Sequence, residues 1–178
     1  APAELPTVRI ALREGGGSVS SYKQALAEVT PGQELAVTGV WGDFVLPART
    51  SHPVLMVAAG IGVTPFVSQL RQRAVDGEDG HDIVFLYVVS DAGELAFRDD
   101  LEASGVPVIV FTRDEPADLL PHWRWAQGAR IDVASVLAEV PDLERRHVYV
   151  SGPPALIADL APAFVQAASV TTDAFAGY

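Results

Sequence analysis

A chain of 178 residues, 49% hydrophobic and 20% charged, has the composition of a folded globular protein, with room for one generous domain or two small ones. Its 23 acidic residues against 12 basic ones give a formal net charge of -11, which speaks against a nucleic-acid surface or a polybasic membrane patch, since both need clustered Lys and Arg. The absence of cysteine excludes disulfides, iron–sulfur clusters and thiolate zinc sites. In chain order, residues 7–46 alternate as strands do, in "TVRIAL", "ELAVTGV" and "DFVL", with turn signals at "REGGGS" and "TPGQ". The helical stretch "SYKQALAEV" interrupts them, with Ser21 placed to cap it and Gln24 three residues on to complete a capping box. This half predicts part of an antiparallel sheet or barrel.

Beyond "LPARTSHP" the pattern changes. "VLMVAA" at 54–59 is a continuous apolar run suited to a strand buried on both faces. A helix "PFVSQLRQRAV", a strand "DIVFLYVV", a helix "LAFRDDLEAS" and a strand "VPVIVFT" follow. After a Pro/Trp-rich loop come a helix "DVASVLAEV", a strand "HVYVS" and a helix "PALIADLAPAFVQAA". Alternating strands and helices predict a parallel sheet with crossover helices. The boundary falls near Ser51, dividing the chain into residues 1–50 and 51–178. The longest apolar stretch, Pro53 to Val67, is broken by Gly60, Gly62 and Pro65 and is too short to cross a bilayer. No signal peptide opens the chain, which starts directly into a strand, so a longer parent with upstream segments is expected.

Ligands of parallel sheets gather where strands end and helices begin. "AAGIGVTPF" (58–66) lies at such a place. Gly60 and Gly62 let the backbone approach a phosphate and adopt positive φ. Thr64 is placed as an N-cap and Pro65 as the first helical residue, so the helix start offers N–H groups to an anion. "VYVSGPPAL" (148–156) repeats the arrangement at a second strand end. Each alone also describes an ordinary strand–turn–helix junction; two in one sheet favour a nucleotide cradle.

Taken together, these motifs resemble the ferredoxin–NADP reductase superfamily, flavin enzymes with a flavin-binding β-barrel followed by a nicotinamide dinucleotide-binding domain. "GGSVSSYKQAL", "VTGVWGDFVLP", "AAGIGVTPF", "LYVVSDAGELAFRDDLE", "HVYVSGPPAL" and "TTDAFAGY" carry the resemblance in order along nearly the whole chain. It implies an α/β fold, a five-stranded parallel Rossmann-like NAD(P)-binding domain preceded by a partial antiparallel barrel. By the same resemblance, Gly60, Gly62, Val63 and Thr64 hold the pyrophosphate and ribose of NAD(P)H. Ser151, Gly152 and Pro153 lie beside the nicotinamide, and Ser151 and Thr64 are the candidates at the hydride-transfer step. Ser18, Val19, Ser20 and Ser21 face the FAD pyrophosphate, and Phe175 packs near the flavin ring or serves as a core aromatic.

Two departures stand out. Ser151 occupies a position where many members have Cys, and the family's Arg-x-Tyr-Ser/Thr flavin clamp has no counterpart here. That clamp is expected before residue 1. Ser90 and Arg113, at the ends of the second and third parallel strands, are candidates for a 2′-phosphate, whereas Asp91 suits a ribose diol; NADH versus NADPH stays open. The four histidines show no metal-ligand spacing, so no metal is expected. Trp123 and Trp125 form a small hydrophobic cluster, cover an adenine or dock a partner. The function implied is hydride transfer from NAD(P)H to FAD and onward to a one-electron acceptor. The alternative is a nucleotide-binding module of a larger reductase, without turnover of its own. A cytoplasmic location, or the cytoplasmic face of a membrane-attached parent, is expected.

Overall fold

The computed structural model describes residues 6–11, 20–36, 42–47, 51–77, 80–126 and 130–175. Its centre is a parallel six-stranded sheet: β1 (Val54–Ala59), β2 (Ile83–Val88), β3 (Val108–Phe111), β4 (Trp123–Trp125), β5 (His147–Gly152) and β6 (Ser169–Ala174). The spatial order is β4-β3-β2-β1-β5-β6. The apolar run at 54–59 forms β1 because both of its faces are covered. Val54, Met56 and Ala58 face one core with Phe85 and Tyr87, while Leu55 and Val57 face another with Val148 and Val150.

Helix α2 (Thr64–Asp76) buries Phe66, Val67 and Leu70 on the first face, and α3 (Arg98–Ala103) buries Leu101 there. The second face is covered by Val136 of α4 (Val133–Glu139) and Leu160 of α5 (Pro154–Leu160). Phe164, in a 3-10 turn that continues α5, joins them. Each of these side chains, taken fully out of water, contributes roughly 1.5–3 kcal/mol. Helix α4 starts where Asp132 caps it, its carboxylate accepting the Ser135 N–H at 2.8 Å and the Ser135 hydroxyl accepting the Asp132 N–H at 2.8 Å. Among the described residues no helix is long and apolar enough to cross a membrane.

Arg146 ties the opposite, N-terminal edge of the sheet together. It is buried and donates to Asp142, to Asp82 and to the carbonyl oxygen of Val54, so one guanidinium joins the approaches to β1, β2 and β5.

The structure corrects the expected strand count: six, not five. The Pro/Trp-rich stretch contains the three-residue β4, paired in parallel with β3 from Val108↔Trp123 to Val110↔Trp125. Three residues are too few for an alternation pattern to register in sequence. The preceding barrel is not found among the described residues. Residues 7–11 and 43–46 form no strand, and Val8, Ile10 and Val45 are exposed, because no ladder among the described residues pairs with them. The stretch at 34–40 lies partly outside the described residues. Helix α1 (Ser21–Ala27) is present, but its cap is Ser20 rather than Ser21, the Ser20 hydroxyl accepting the Lys23 N–H at 3.3 Å. Phe44 packs on the first core between Phe66 and Tyr149, with ring centroids 5.3 and 5.5 Å away.

Candidate functional site

Strand order reverses at β1. Its successors β2, β3 and β4 run to one side, and β5 and β6 to the other. The carboxyl ends of β1 and β5 therefore flank the switch point, the place where open α/β sheets take their ligands. Both glycine-containing loops end there. β1 and β5 are in register, Ala58 opposite Ser151, which places the turn at Gly60 beside Gly152, the last residue of β5.

Gly60 opens a 3-10 turn, Gly60–Val63, with φ +53°, and a side chain there would meet nothing within 4 Å. The first N–H groups of such a turn have no partner within it. Gly62, expected at the pyrophosphate, packs against the end of β5. A Cβ on it would fall 2.6 Å from the Ser151 carbonyl carbon and 3.0 Å from the Gly152 nitrogen, and its φ is not in the left-handed region. It is a packing glycine, letting the turn rest on the end of β5. Gly152 answers it from the other side, since a Cβ there would sit 2.9 Å from the Ala59 Cβ. Val63 is fully buried. Thr64 does not cap α2: the helix already includes it, and its hydroxyl donates to the Ile61 carbonyl at 3.1 Å. α2 thus starts one residue before the expected Pro65 and is preceded by a 3-10 turn.

Ser151 is fully buried, and its hydroxyl has no hydrogen-bond partner among the described residues. Such an orphaned group costs about 1–3 kcal/mol unless a ligand or water satisfies it. Pro153 precedes α5 as its N-cap and is exposed. The C-terminal stretch joins this site. Asp173 of β6 is in register with Ser151, and the Phe175 N–H donates to the Gly152 carbonyl at 2.9 Å, leaving the Phe175 ring partly exposed beside it. Asp173 was not among the residues singled out from sequence. Its signal, an acid two positions before the aromatic of "TTDAFAGY", becomes meaningful only once β6 pairs with β5.

The ends of β2 and β3 form the other wing. The Arg113 N–H donates to the Ser90 carbonyl at 3.3 Å, so these two candidates are neighbours. The Ser90 N–H donates to the Glu94 carboxylate at 3.4 Å, and Asp91 accepts the Gly93 N–H at 2.9 Å. Beneath them the buried Tyr87 hydroxyl accepts the Ala96 N–H, and burial first, then the nearby Glu94 charge, push its pKa up to about 12 against the lowering effect of that bond. Trp125 donates to the Thr112 carbonyl at 3.3 Å, while Trp123 is buried under the Arg98 guanidinium. The two tryptophans thus serve mainly the sheet edge.

Of the residues expected at the FAD pyrophosphate, only Ser20 and Ser21 are described. Ser18 and Val19 lie outside the described residues, the Ser20 hydroxyl is engaged in capping α1, and Ser21 is exposed on that helix. His52 and His147 stack at 4.7 Å at the far end of the sheet, and among the described residues no three potential ligands gather around a metal position.

The family model for the oxidoreductase NAD-binding domain matches residues 56–161, from β1 into the turn after α5. The chain belongs to that family, within the ferredoxin–NADP reductase superfamily. Relatives of this NAD-binding domain include a flavohemoprotein of Deinococcus radiodurans, 37% identical over 89 residues, covering 50% of this chain and 21% of the relative. The ferredoxin–NAD(+) reductase component of an alkene monooxygenase system in Xanthobacter autotrophicus is 29% identical, covering 89% of this chain and 47% of the relative. Among solved structures, the Amycolatopsis cytochrome P450 reductase GcoB superimposes with a TM-score of 0.61 at 21% identity, over 82% of this chain and 46% of that one. At that identity the likeness establishes the fold. The chain spans less than half the length of these three relatives.

Proposed function

We propose that this chain is the nicotinamide-binding part of an NAD(P)H-dependent flavin oxidoreductase that hands electrons to a separate one-electron acceptor. The observation that carries this is the buried, unpartnered Ser151 hydroxyl beside the open Gly60 turn, at the switch point of a sheet whose family binds NAD. When bound, a reduced nicotinamide supplies a hydride that a flavin accepts. The protein's share is positioning. The N–H groups of the Gly60–Val63 turn would hold the pyrophosphate, and the Ser151 hydroxyl would orient the carboxamide of the ring. Phe175, whose N–H is bonded to the Gly152 carbonyl, would cover the nicotinamide from water. No side chain need exchange a proton for this step.

FAD is proposed on the strength of the family and of the reductase and flavohemoprotein relatives. The division at Ser51, the flavin-contacting roles of Ser18, Val19, Ser20, Ser21 and Phe175, and a cytoplasmic location belong to the same proposal. A second reading, a nicotinamide-binding module without turnover of its own, is favoured by the absence of strands among the described residues before Val54. Titration of the chain with NADH and then FAD, followed by tryptophan and flavin fluorescence, separates the two. Saturable binding of both supports the oxidoreductase; NADH binding alone supports the module. If neither binds, both readings fail.

A further inference from the structure

We infer that Phe44 is a positioning residue for the nicotinamide site: its ring is the wedge that sets how the Gly60–Val63 turn sits relative to Ser151. The inference rests on the proposed reading of those two places as the nucleotide site. Phe66 follows the turn closely, in the first turn of α2, and Tyr149 precedes Ser151 in β5. The Phe44 ring centroid lies 5.3 Å from that of Phe66 and 5.5 Å from that of Tyr149, the second pair meeting edge to face at 85°. One side chain from the stretch before β1 therefore packs against both elements that carry the site.

The wedge is itself held in place. Gln69, one turn further along α2, donates from Nε2 to the Phe44 carbonyl at 2.6 Å, and His81 donates from Nε2 to the Pro47 carbonyl at 3.0 Å. Leu46 packs on the same core, while Val45 between the two inward side chains is exposed. Residues 44–47 thus form a strap, one side turned in and both ends fastened, although they form no strand. Alternation along β5 puts Tyr149 and Ser151 on the same face of the sheet, the face that the strap covers. The Gly62 contact fixes the turn to the β5 backbone at one point; Phe44 fixes the direction in which α2 leaves it. Phe66 is fully buried and Tyr149 nearly so, and close-packed neighbours pass on a displacement instead of absorbing it. With the ring removed, α2 can settle toward β5 and carry the Gly60 turn with it. A dinucleotide that must meet the turn and Ser151 together is sensitive to that shift.

The test is calorimetric titration with NADH and with NADPH of the unmodified chain, Phe44→Ala, Phe44→Leu, Gln69→Ala and Arg146→Met, each below its unfolding midpoint. Arg146→Met is the control for stability lost at the far end of the sheet. Phe44→Ala is expected to weaken the tighter-binding nucleotide about tenfold, and Gln69→Ala about threefold. Phe44→Leu, which restores an apolar wedge, should recover most of the loss, and Arg146→Met should show none. Amide hydrogen exchange without nucleotide gives a second readout: in Phe44→Ala it should quicken more at residues 66–69 and 150–152 than in β3. Unchanged affinity in Phe44→Ala and Gln69→Ala overturns the inference while leaving the nicotinamide site intact. So does an Arg146→Met protein that loses as much affinity as Phe44→Ala, or exchange that quickens equally in β3. If Phe44→Ala does not fold, Gln69→Ala decides alone. Failure of both nucleotides to bind the unmodified chain overturns the nicotinamide site itself, and this inference with it.

Discussion

Gly62 is seated on the backbone of Ser151: the turn after β1 touches the end of β5 so closely that a single added carbon would lie 2.6 Å from the Ser151 carbonyl carbon. This contact joins the turn after β1 to the end of β5. Gly60, two residues earlier, has open space and a left-handed backbone instead. The two glycines should therefore respond in opposite ways. Gly62→Ala is expected to lower the unfolding free energy by about 2–3 kcal/mol through overpacking. Gly60→Ala should cost only about 1–2 kcal/mol of backbone strain while weakening NADH binding more than its stability loss accounts for. Urea unfolding and nucleotide titration of both variants check this, and a Gly62→Ala protein as stable as its parent would refute the packing role.

Ser151 offers a cleaner separation of stability from binding. Its hydroxyl is buried without a partner, so removing it sacrifices no hydrogen bond. Ser151→Ala should leave unfolding stability within about 1 kcal/mol of the parent, on the stabilising side, because an unsatisfied polar group has been removed. NADH affinity should fall at the same time. Loss of stability with unchanged affinity would instead place an unseen partner on this hydroxyl.

At the other end of the sheet, Arg146 carries a purely structural prediction. Its buried guanidinium neutralises Asp142 and Asp82 and satisfies the Val54 carbonyl at 3.1 Å. Arg146→Met leaves that carbonyl and two carboxylates without their donor. Asp82 is largely exposed and can rehydrate, so the expected loss is about 2–3 kcal/mol, below that of a fully buried pair. Nucleotide affinity of the folded fraction should not change, as titration below the unfolding midpoint would show.

The pH dependence of stability should have two stages. His147 stacks on His52 and meets the Ser169 hydroxyl at 2.7 Å; partial burial, then the neighbouring imidazole, hold its pKa below the ordinary 6.5. The unfolded chain thus takes up this proton first, and stability should fall as the pH drops below about 6.5, levelling off under the depressed folded value. The Asp142 carboxyl is held below 3.8 by its hydrogen bonds from Arg146, so its contribution is present above that pH and is lost as the pH falls through the lower folded value. Chemical denaturation from pH 8 to pH 3 should resolve both stages. His147→Gln should erase the first and leave the second. A single stage in the parent protein would contradict the histidine assignment.

The sequence by itself determined the four inner strands and the helices that cover them. A continuous apolar run such as 54–59 has no stable home except between two covered faces, and Asp132 marks the start of α4 through local capping chemistry alone. It also marked the turns at the ends of β1 and β5, since Gly60 and the Ser151–Pro153 stretch are local signals at strand ends. Tertiary structure alone decided the rest. β6, "SVTTDA", is largely exposed and carries no apolar period, so it becomes a strand only by pairing with β5, which is also what brings Asp173 and Phe175 to Ser151. The Gly62 contact joins residues about ninety positions apart, as does the bond from Arg146 to Val54. Local propensity reaches a few residues along the chain, whereas the register of crossover-connected strands is set by how whole layers pack. The glycines could be read from the sequence; what each one touches could not.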